Sequence, residues 1–258
     1  MPYADTSSGR LFYAVSRGQG LTGRPALVLI HGAGGTRLQW PAELRRLPGT
    51  TVYTLDLPGH GRSTGASFDN IEDYAEAAVG LLDWIAVERA VFAGHSMGGA
   101  IALELALDHA ARVAGLVLVA TRARLRVAPA ILDGIPGDFE EAVALITRWA
   151  WSPGASHTLT EAGRQVLLDT KPGVVLNDFT ACDRFDVMEQ VGEIRTPTLV
   201  VAGTADQLTP FHYSRFLADR IAGAQCVVIE GAGHMVMLEQ PIATARAVQT
   251  FLEGLDIS

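Results

Sequence analysis

Cysteine is almost absent from this chain. Only Cys182 and Cys226 occur in 258 residues. They lie far apart and in no C-x-x-C or metal-ligand spacing, so neither a disulfide framework nor a metal site is expected, and both read as reduced thiols in a packed interior. Lysine is rarer still, with Lys171 the sole example among 20 basic residues, against 28 acidic ones. The resulting net charge of −8 argues against nucleic acid or an anionic membrane as partner. Long apolar runs are missing too. Stretches such as AGLVLVAT around Val117 fall far short of the roughly 18 residues a membrane span needs. The opening MPYADTSSGRLFYAV has no charged segment leading into an apolar core and a small-residue cleavage site. A soluble, cytoplasmic protein is the expectation. A chain of this length needs no staple to hold one large α/β domain, with or without an insertion.

What the sequence does have is alternation. Ala26–Ile30, Thr51–Leu55, Ala90–Ala93, Leu116–Val119, Thr198–Ala202 and Gln225–Ile229 are apolar almost throughout. Such runs predict strands covered on both faces, as in a parallel sheet. Between them lie helical patterns. In Ile71–Val87 the apolar positions recur at three and four, and Ala100–Leu107 is apolar nearly all round apart from Glu104. A further helix is expected over Phe211–Ile221, with Thr209 as N-cap and Pro210 at its first position. Strand and helix in this order predict a doubly wound, mostly parallel α/β sheet. The alternation breaks between residues 121 and 195, where Ala142, Leu145, Ile146 and Trp149 keep helical spacing and DGIPGD, SPG and KPG read as turns. A helical cap over 121–195 is therefore expected, splitting a core of 1–120 and 196–258.

The chemistry gathers where strands end. Gly94-His95-Ser96-Met97-Gly98 follows the strand AVFA and opens an apolar helix, the context of a nucleophile elbow. Such a turn projects the serine Oγ above the sheet and leaves no room for side chains at Gly94 and Gly98. The same pattern recurs at Gly61-Arg62-Ser63-Thr64-Gly65, but DLPGH before it is a turn and ASFDN after it starts no helix. Context selects Ser96 and leaves Ser63 a loop serine. A serine needs a base. Among seven histidines only His234 follows the last strand in a glycine-rich loop, EGAGH. His95 reads as packing or an elbow hydrogen bond, and His31 and His60 as local donors in glycine turns; His109, His157 and His212 read as surface residues. The base needs a carboxylate to hold its tautomer, and Asp206 lies just past the strand TLVVA. The oxyanion would be held by the Met97 N–H and by an N–H of His31-Gly32-Ala33-Gly34-Gly35, with Ala33 chosen and Gly34 its rival.

With HGAGG, DLPGHGRS, GHSMGG, AGTADQLTP and GAGHMVMLEQP in this order, nearly the whole chain resembles the α/β-hydrolase superfamily, and within it the small capped carboxylesterases, enol-lactonases and C–C bond hydrolases. The resemblance places Ser96, Asp206 and His234 on the triad and Ala33 with Met97 on the oxyanion hole. Ser96 departs from the haloalkane dehalogenases and epoxide hydrolases, which carry aspartate there. HGAGGT departs from the HGGGPG of the meta-cleavage C–C hydrolases, and the GGGX lipases match less well. The resemblance implies a serine carboxylesterase acting without metal or cofactor on small or medium apolar esters. The alternatives are an enol-lactonase or C–C hydrolase of aromatic degradation, and a triad-retaining ligand receptor in signalling. The partner expected is a small-molecule ester or lactone. Phe139, Trp149, Trp151, Phe179 and Phe185 either line the substrate pocket, together with Gly34, or only pack the cap. Arg122, Arg124 and Arg126 read as a solvated face, with a carboxylate-bearing substrate as the rival reading.

Overall fold

The computed structural model describes residues 3–18 and 24–255. In chain order, strands β1 (Tyr3–Thr6), β2 (Gly9–Arg17) and β3 (Ala26–Ile30) precede helix α1 (Ala42–Arg45), β4 (Thr51–Leu55) and α2 (Ile71–Trp84). Then come β5 (Ala90–His95), α3 (Met97–Asp108) and β6 (Val113–Val119). Helices α4 (Pro129–Gly137), α5 (Phe139–Ala150), α6 (His157–Asp169) and α7 (Pro172–Arg184) follow, before β7 (Thr198–Gly203), α8 (Phe211–Arg220), β8 (Gln225–Ile229), α9 (Val236–Glu239) and α10 (Pro241–Glu253). Among the described residues the strands form one 8-stranded sheet in the order β1-β2-β4-β3-β5-β6-β7-β8. The first two are antiparallel to their neighbours, and β4 through β8 pair in parallel. No described helix is long and apolar enough to cross a membrane.

Both faces of the parallel strands are covered, which is why their sequences are apolar without alternation. In β3, Val28 and Ile30 join Tyr74 and Ala78 of α2 and Ile101 of α3, while Leu27 and Leu29 join Trp40, Leu44 of α1 and Val248 of α10. The edge strand β8 departs from this expectation. It is covered only in part, and Cys226 is exposed rather than interior, while Cys182 is buried. The pair β1–β2 was not anticipated: β1 is only four residues long, and both strands mix polar with apolar residues and are only partly buried. Two local expectations are also corrected. DGIPGD is not a turn, since Pro136 lies inside α4 and the break falls at Asp138, whose carboxylate caps α5 by accepting from the Glu141 N–H. The N-cap position of α8 is Pro210, not Thr209, whose hydroxyl is engaged elsewhere.

Helices α4 to α7 lie between β6 and β7 and share a small core of their own, made by Ile131, Ile135, Ala142, Val143, Ile146, Leu167 and Val175. Ala181 and Cys182 of α7, with Phe185 just beyond, also join the core beneath the sheet.

Helix α3 is buried along nearly its whole length, Glu104 included. Burial first, and then Asp108 and Glu72, push the Glu104 carboxyl from 4.5 up to about 7. Its folded value therefore lies above its unfolded value, so ionisation opposes folding progressively from about pH 4.5 and fully above about pH 7. Glu104→Gln should raise stability at pH 8 by roughly 1 kcal/mol, after allowance for solvent screening, and by much less at pH 5. Calorimetric melting at the two pH values checks this, and equal shifts at both would contradict it.

Candidate active site

Ser96 stands between β5 and α3 with φ 52° and ψ −115°, a conformation rarely adopted by a residue with a side chain. Strain of this kind costs about 1–3 kcal/mol and persists only where the surroundings enforce it. Here they do. The Ser96 N–H donates to Val119 O at 3.0 Å, and its carbonyl accepts from the Gly99 N–H and the Thr121 hydroxyl, each at 2.8 Å. A Cβ on Gly94 would come within 1.9 Å of Gly98 O, and one on Gly98 within 2.3 Å of Ile30 O. The glycines on either side of Ser96 are therefore required by contact, as so tight a turn demands. Ser63 is placed quite differently. Its hydroxyl donates to Asp56 O at 2.6 Å and accepts from the Phe12 N–H at 2.8 Å, pinning a loop to β2.

His234 and Asp206 come together from the loops after β8 and β7. His234 Nδ1 lies 2.9 Å from Asp206 Oδ2, and both side chains are almost wholly buried. A carboxylate only accepts, so this contact places the proton on Nδ1 and leaves Nε2 free to accept. Asp206 also accepts from the Leu208 and Thr209 N–H groups at 2.9 and 2.8 Å and from the Thr209 hydroxyl at 2.6 Å. Burial would raise its carboxyl; the neighbouring His234 and the Thr209 bonds outweigh it and hold the group down at about 2. Thr209, read from sequence as a helix cap, thus belongs to this cluster, its Oγ1 also 3.2 Å from His234 Nδ1. His95 serves the loop rather than the chemistry: its Nε2–H donates to His234 O at 3.0 Å. Burial, then His234, pushes the His95 ring down to about 3, which keeps it neutral. Glu239 braces the same loop, accepting from the Gly233 N–H at 3.1 Å and the Ser152 N–H at 3.3 Å.

The turn after β3 is gripped from two sides. The Gly34 N–H donates to Asp178 Oδ2 of α7 at 2.7 Å, and Gly34 O accepts from the Thr170 hydroxyl at 3.0 Å. Gly34 N–H is therefore unavailable to an oxyanion. Among the described residues neither the Ala33 N–H nor the Met97 N–H has a hydrogen-bond partner. Met97 is the first residue of α3, where the helix itself leaves N–H groups free. Asp178 was not found from sequence, because nothing near it in the chain marks it out. It is fully buried and also accepts from the Tyr74 hydroxyl at 2.6 Å and from His60 Nε2 at 2.7 Å. His60 Nδ1 in turn lies 3.0 Å from Pro58 O. Both its nitrogens face oxygen acceptors, an arrangement that only the imidazolium satisfies fully. Burial opposes that charge, but the Asp178 carboxylate overrides it and raises the histidine above its usual range. Neighbouring His31 is the opposite case: it donates from Nδ1 to Gly32 O and accepts the Leu57 N–H at Nε2, and burial holds it well below its usual range.

Ser96 and His234 both line a cavity of about 440 Å³ whose wall also includes Ala33, Thr209 and Met235. Of the aromatic residues singled out in the sequence, Trp149, Trp151 and Phe179 line it. Gly34, Phe139 and Phe185 do not. Gly34 is covered by Leu167 and Val175, Phe139 packs in the core of the inserted helices, and Phe185 is buried beneath the sheet. Arg122 and Arg126, read as a solvated face, also stand on the cavity wall. No group of histidine, cysteine and carboxylate side chains suited to a metal occurs among the described residues.

Comparison with known proteins follows the same outline. A family profile described as "Alpha/beta hydrolase family" matches residues 27–247. A pimeloyl-[acyl-carrier protein] methyl ester esterase of Neisseria meningitidis serogroup C is 31% identical over 242 residues, covering 88% of this chain and 93% of that protein. The solved structure of a thermophilic esterase superposes with a TM-score of 0.87 at 34% identity, covering 98% of this chain and 97% of that one. The enol-lactonase of Burkholderia xenovorans LB400 superposes with a TM-score of 0.89 at 28% identity, covering 98% and 100%.

Proposed function

The chain belongs to the alpha/beta hydrolase family, and from that premise we propose that it is a serine hydrolase cleaving carboxylic esters through an acyl-enzyme. The observation that carries the reading is the strained Ser96 sharing one cavity with His234, whose Nδ1 lies against Asp206. In the first step His234 Nε2 takes the Ser96 proton as Oγ attacks the ester carbonyl. Asp206, held at about 2, stays ionised and stabilises the imidazolium. The Ala33 and Met97 N–H groups receive the oxyanion, each worth about 10²–10³ in rate. His234 then protonates the leaving alkoxide, and water repeats the sequence on the acyl-enzyme. Residues 121–195 act as a cap over a core of 1–120 and 196–258, with Trp149, Trp151 and Phe179 facing the substrate.

The likeness to an enol-lactonase supports a second reading, since a lactone is an internal ester and needs the same groups. A panel of p-nitrophenyl esters and lactones of graded acyl length decides between them. Ester turnover that falls with acyl length supports the first reading, and turnover confined to lactones supports the second. Absence of turnover, with ligand binding intact, would favour a receptor instead. A fluorophosphonate should label the protein once, and peptide mapping should locate the adduct on Ser96; an adduct on Ser63 would move the nucleophile.

A further inference from the structure

The cavity that holds Ser96 is apolar for most of its wall, and its charge is of one sign. Its charged side chains, apart from the histidines, are Arg122 and Arg126; no Asp, Glu or Lys lines it among the described residues. The two arginines differ. Arg126 is two-thirds exposed and lies 3.8 Å from Asp183 Oδ2, so its charge is shared with a carboxylate at the surface. Arg122 has no carboxylate partner among the described residues. Its guanidinium donates through Nη2 to Arg126 O and sits 4.8 Å from the centre of the Tyr213 ring, while its Nε is buried with no hydrogen-bond partner. Arg122 also follows Thr121, whose hydroxyl is bonded to Ser96 O, so the backbone at this point is anchored to the nucleophile turn. A second cavity of about 250 Å³ adjoins at Arg122 and adds Arg124 and His212 to the same neighbourhood. In a protein of net charge −8, and with Arg124 lying 3.5 Å from Asp186 Oδ2, Arg122 is the one arginine of this group without a carboxylate partner among the described residues.

A buried donor without an acceptor is destabilising unless something completes it. A guanidinium offers a planar fork of donors that matches a carboxylate. We propose that Arg122 forms an anion subsite, and that the substrates for which this cavity is built are esters or lactones that also carry a carboxylate. The subsite rests on the hydrolase reading and adds to it the chemical class of substrate. The apolar wall takes the chain between the two carbonyl groups, and Arg122 fixes its far end.

Two matched pairs of substrates test this. In the first the carboxylate is on the acyl side: the mono-p-nitrophenyl ester of glutaric acid against p-nitrophenyl valerate. In the second it is on the alcohol side: 4-(butyryloxy)benzoate against phenyl butyrate. The ratio of kcat/KM, charged over neutral, should exceed about 10 in one pair, the scale of a charge-assisted hydrogen bond, through a lower KM. That pair also identifies the side. Arg122→Gln should bring the ratio down about 10–100-fold toward one, and Arg122→Lys should restore part of it. Arg164→Gln, at a partly buried arginine of α6 paired with Glu161 and outside the cavity, should leave the ratio unchanged. Because the readout is a ratio within one preparation, partial misfolding does not mimic it. A ratio near one in both pairs, or one that survives Arg122→Gln, overturns the subsite while leaving ester hydrolysis intact. No turnover of any of the four esters or of the lactones in the graded panel overturns the hydrolase reading and the subsite together.

Discussion

Ser96→Ala should lower the turnover of p-nitrophenyl butyrate by about 10⁴–10⁶-fold while the protein stays folded. The size of the loss follows from what remains. The Ala33 and Met97 N–H groups and the cavity would still bind and polarise an ester, but water would have to attack without the covalent step, and His234 would have lost the proton it is placed to remove. A loss of 10⁶ corresponds to about 8 kcal/mol of transition-state stabilisation. Stability should move the other way or not at all. Alanine inherits the φ of 52° and its strain, so Ser96→Ala should melt close to the parent. Ser96→Gly, which adopts positive φ freely, should be more stable than Ser96→Ala, by up to the roughly 1–3 kcal/mol that such strain represents. Ester turnover and thermal melting of the same preparations check both. Wild-type turnover in Ser96→Ala, with no contaminating esterase removed by further purification, would sink the assignment of Ser96.

The parts that could be read in the sequence and the parts that could not divide along a physical line. The parallel strands are legible because burial on both faces makes them continuously apolar: β3, β4 and β8 have the bounds expected from residues 26–30, 51–55 and 225–229, and β5 and β7 differ only at their ends. Even there the pattern misleads at the edge, since β8 is apolar in composition yet largely exposed. The pair β1–β2 escaped because half-exposed strands such as GRLFYAVSR mix polar and apolar residues. The site is legible where a turn imposes glycine, as at Gly94 and Gly98, whose missing side chains are required by backbone contacts. It is not legible where side chains meet across the fold. Asp178 joins Gly34, His60 and Tyr74 over sequence separations of 144, 118 and 104 residues. No local motif announces such a cluster. Arg122 is only half legible: as one of three arginines after a strand it reads as a solvated face, with a carboxylate-bearing substrate as the rival, and its place on the cavity wall depends on the inserted helices.

Removing that hidden carboxylate should have the largest effect on stability. The His60–Asp178 contact is 2.7 Å long with both side chains fully buried, and breaking such a pair from one side leaves an uncompensated charge, at about 3–5 kcal/mol. Asp178→Ala should therefore lose that amount in urea unfolding at pH 6. It should also lose activity, because the Gly34 N–H and the turn that presents Ala33 lose their anchor on α7. Asp178→Asn separates charge from shape. The amide oxygen can still accept from Gly34 or Tyr74, and its NH₂ can donate to a neutral His60 that keeps its Nδ1–H on Pro58 O. The loss should then be smaller and its pH dependence reversed. In the parent the folded His60 is raised above its unfolded value, so its contribution is fully present below about pH 6.5 and declines as pH rises through the folded value. In Asp178→Asn the buried ring lacks its counter-charge and is held neutral, so its folded value falls below the unfolded one and stability declines as pH falls. The difference in unfolding free energy between the two proteins should thus shrink from pH 5.5 to pH 8.5, since titrations elsewhere cancel in the comparison. A difference that does not change with pH would mean that His60 is neutral in the parent, and an Asp178→Ala loss below about 1 kcal/mol would mean that the pair contributes no more than a surface contact.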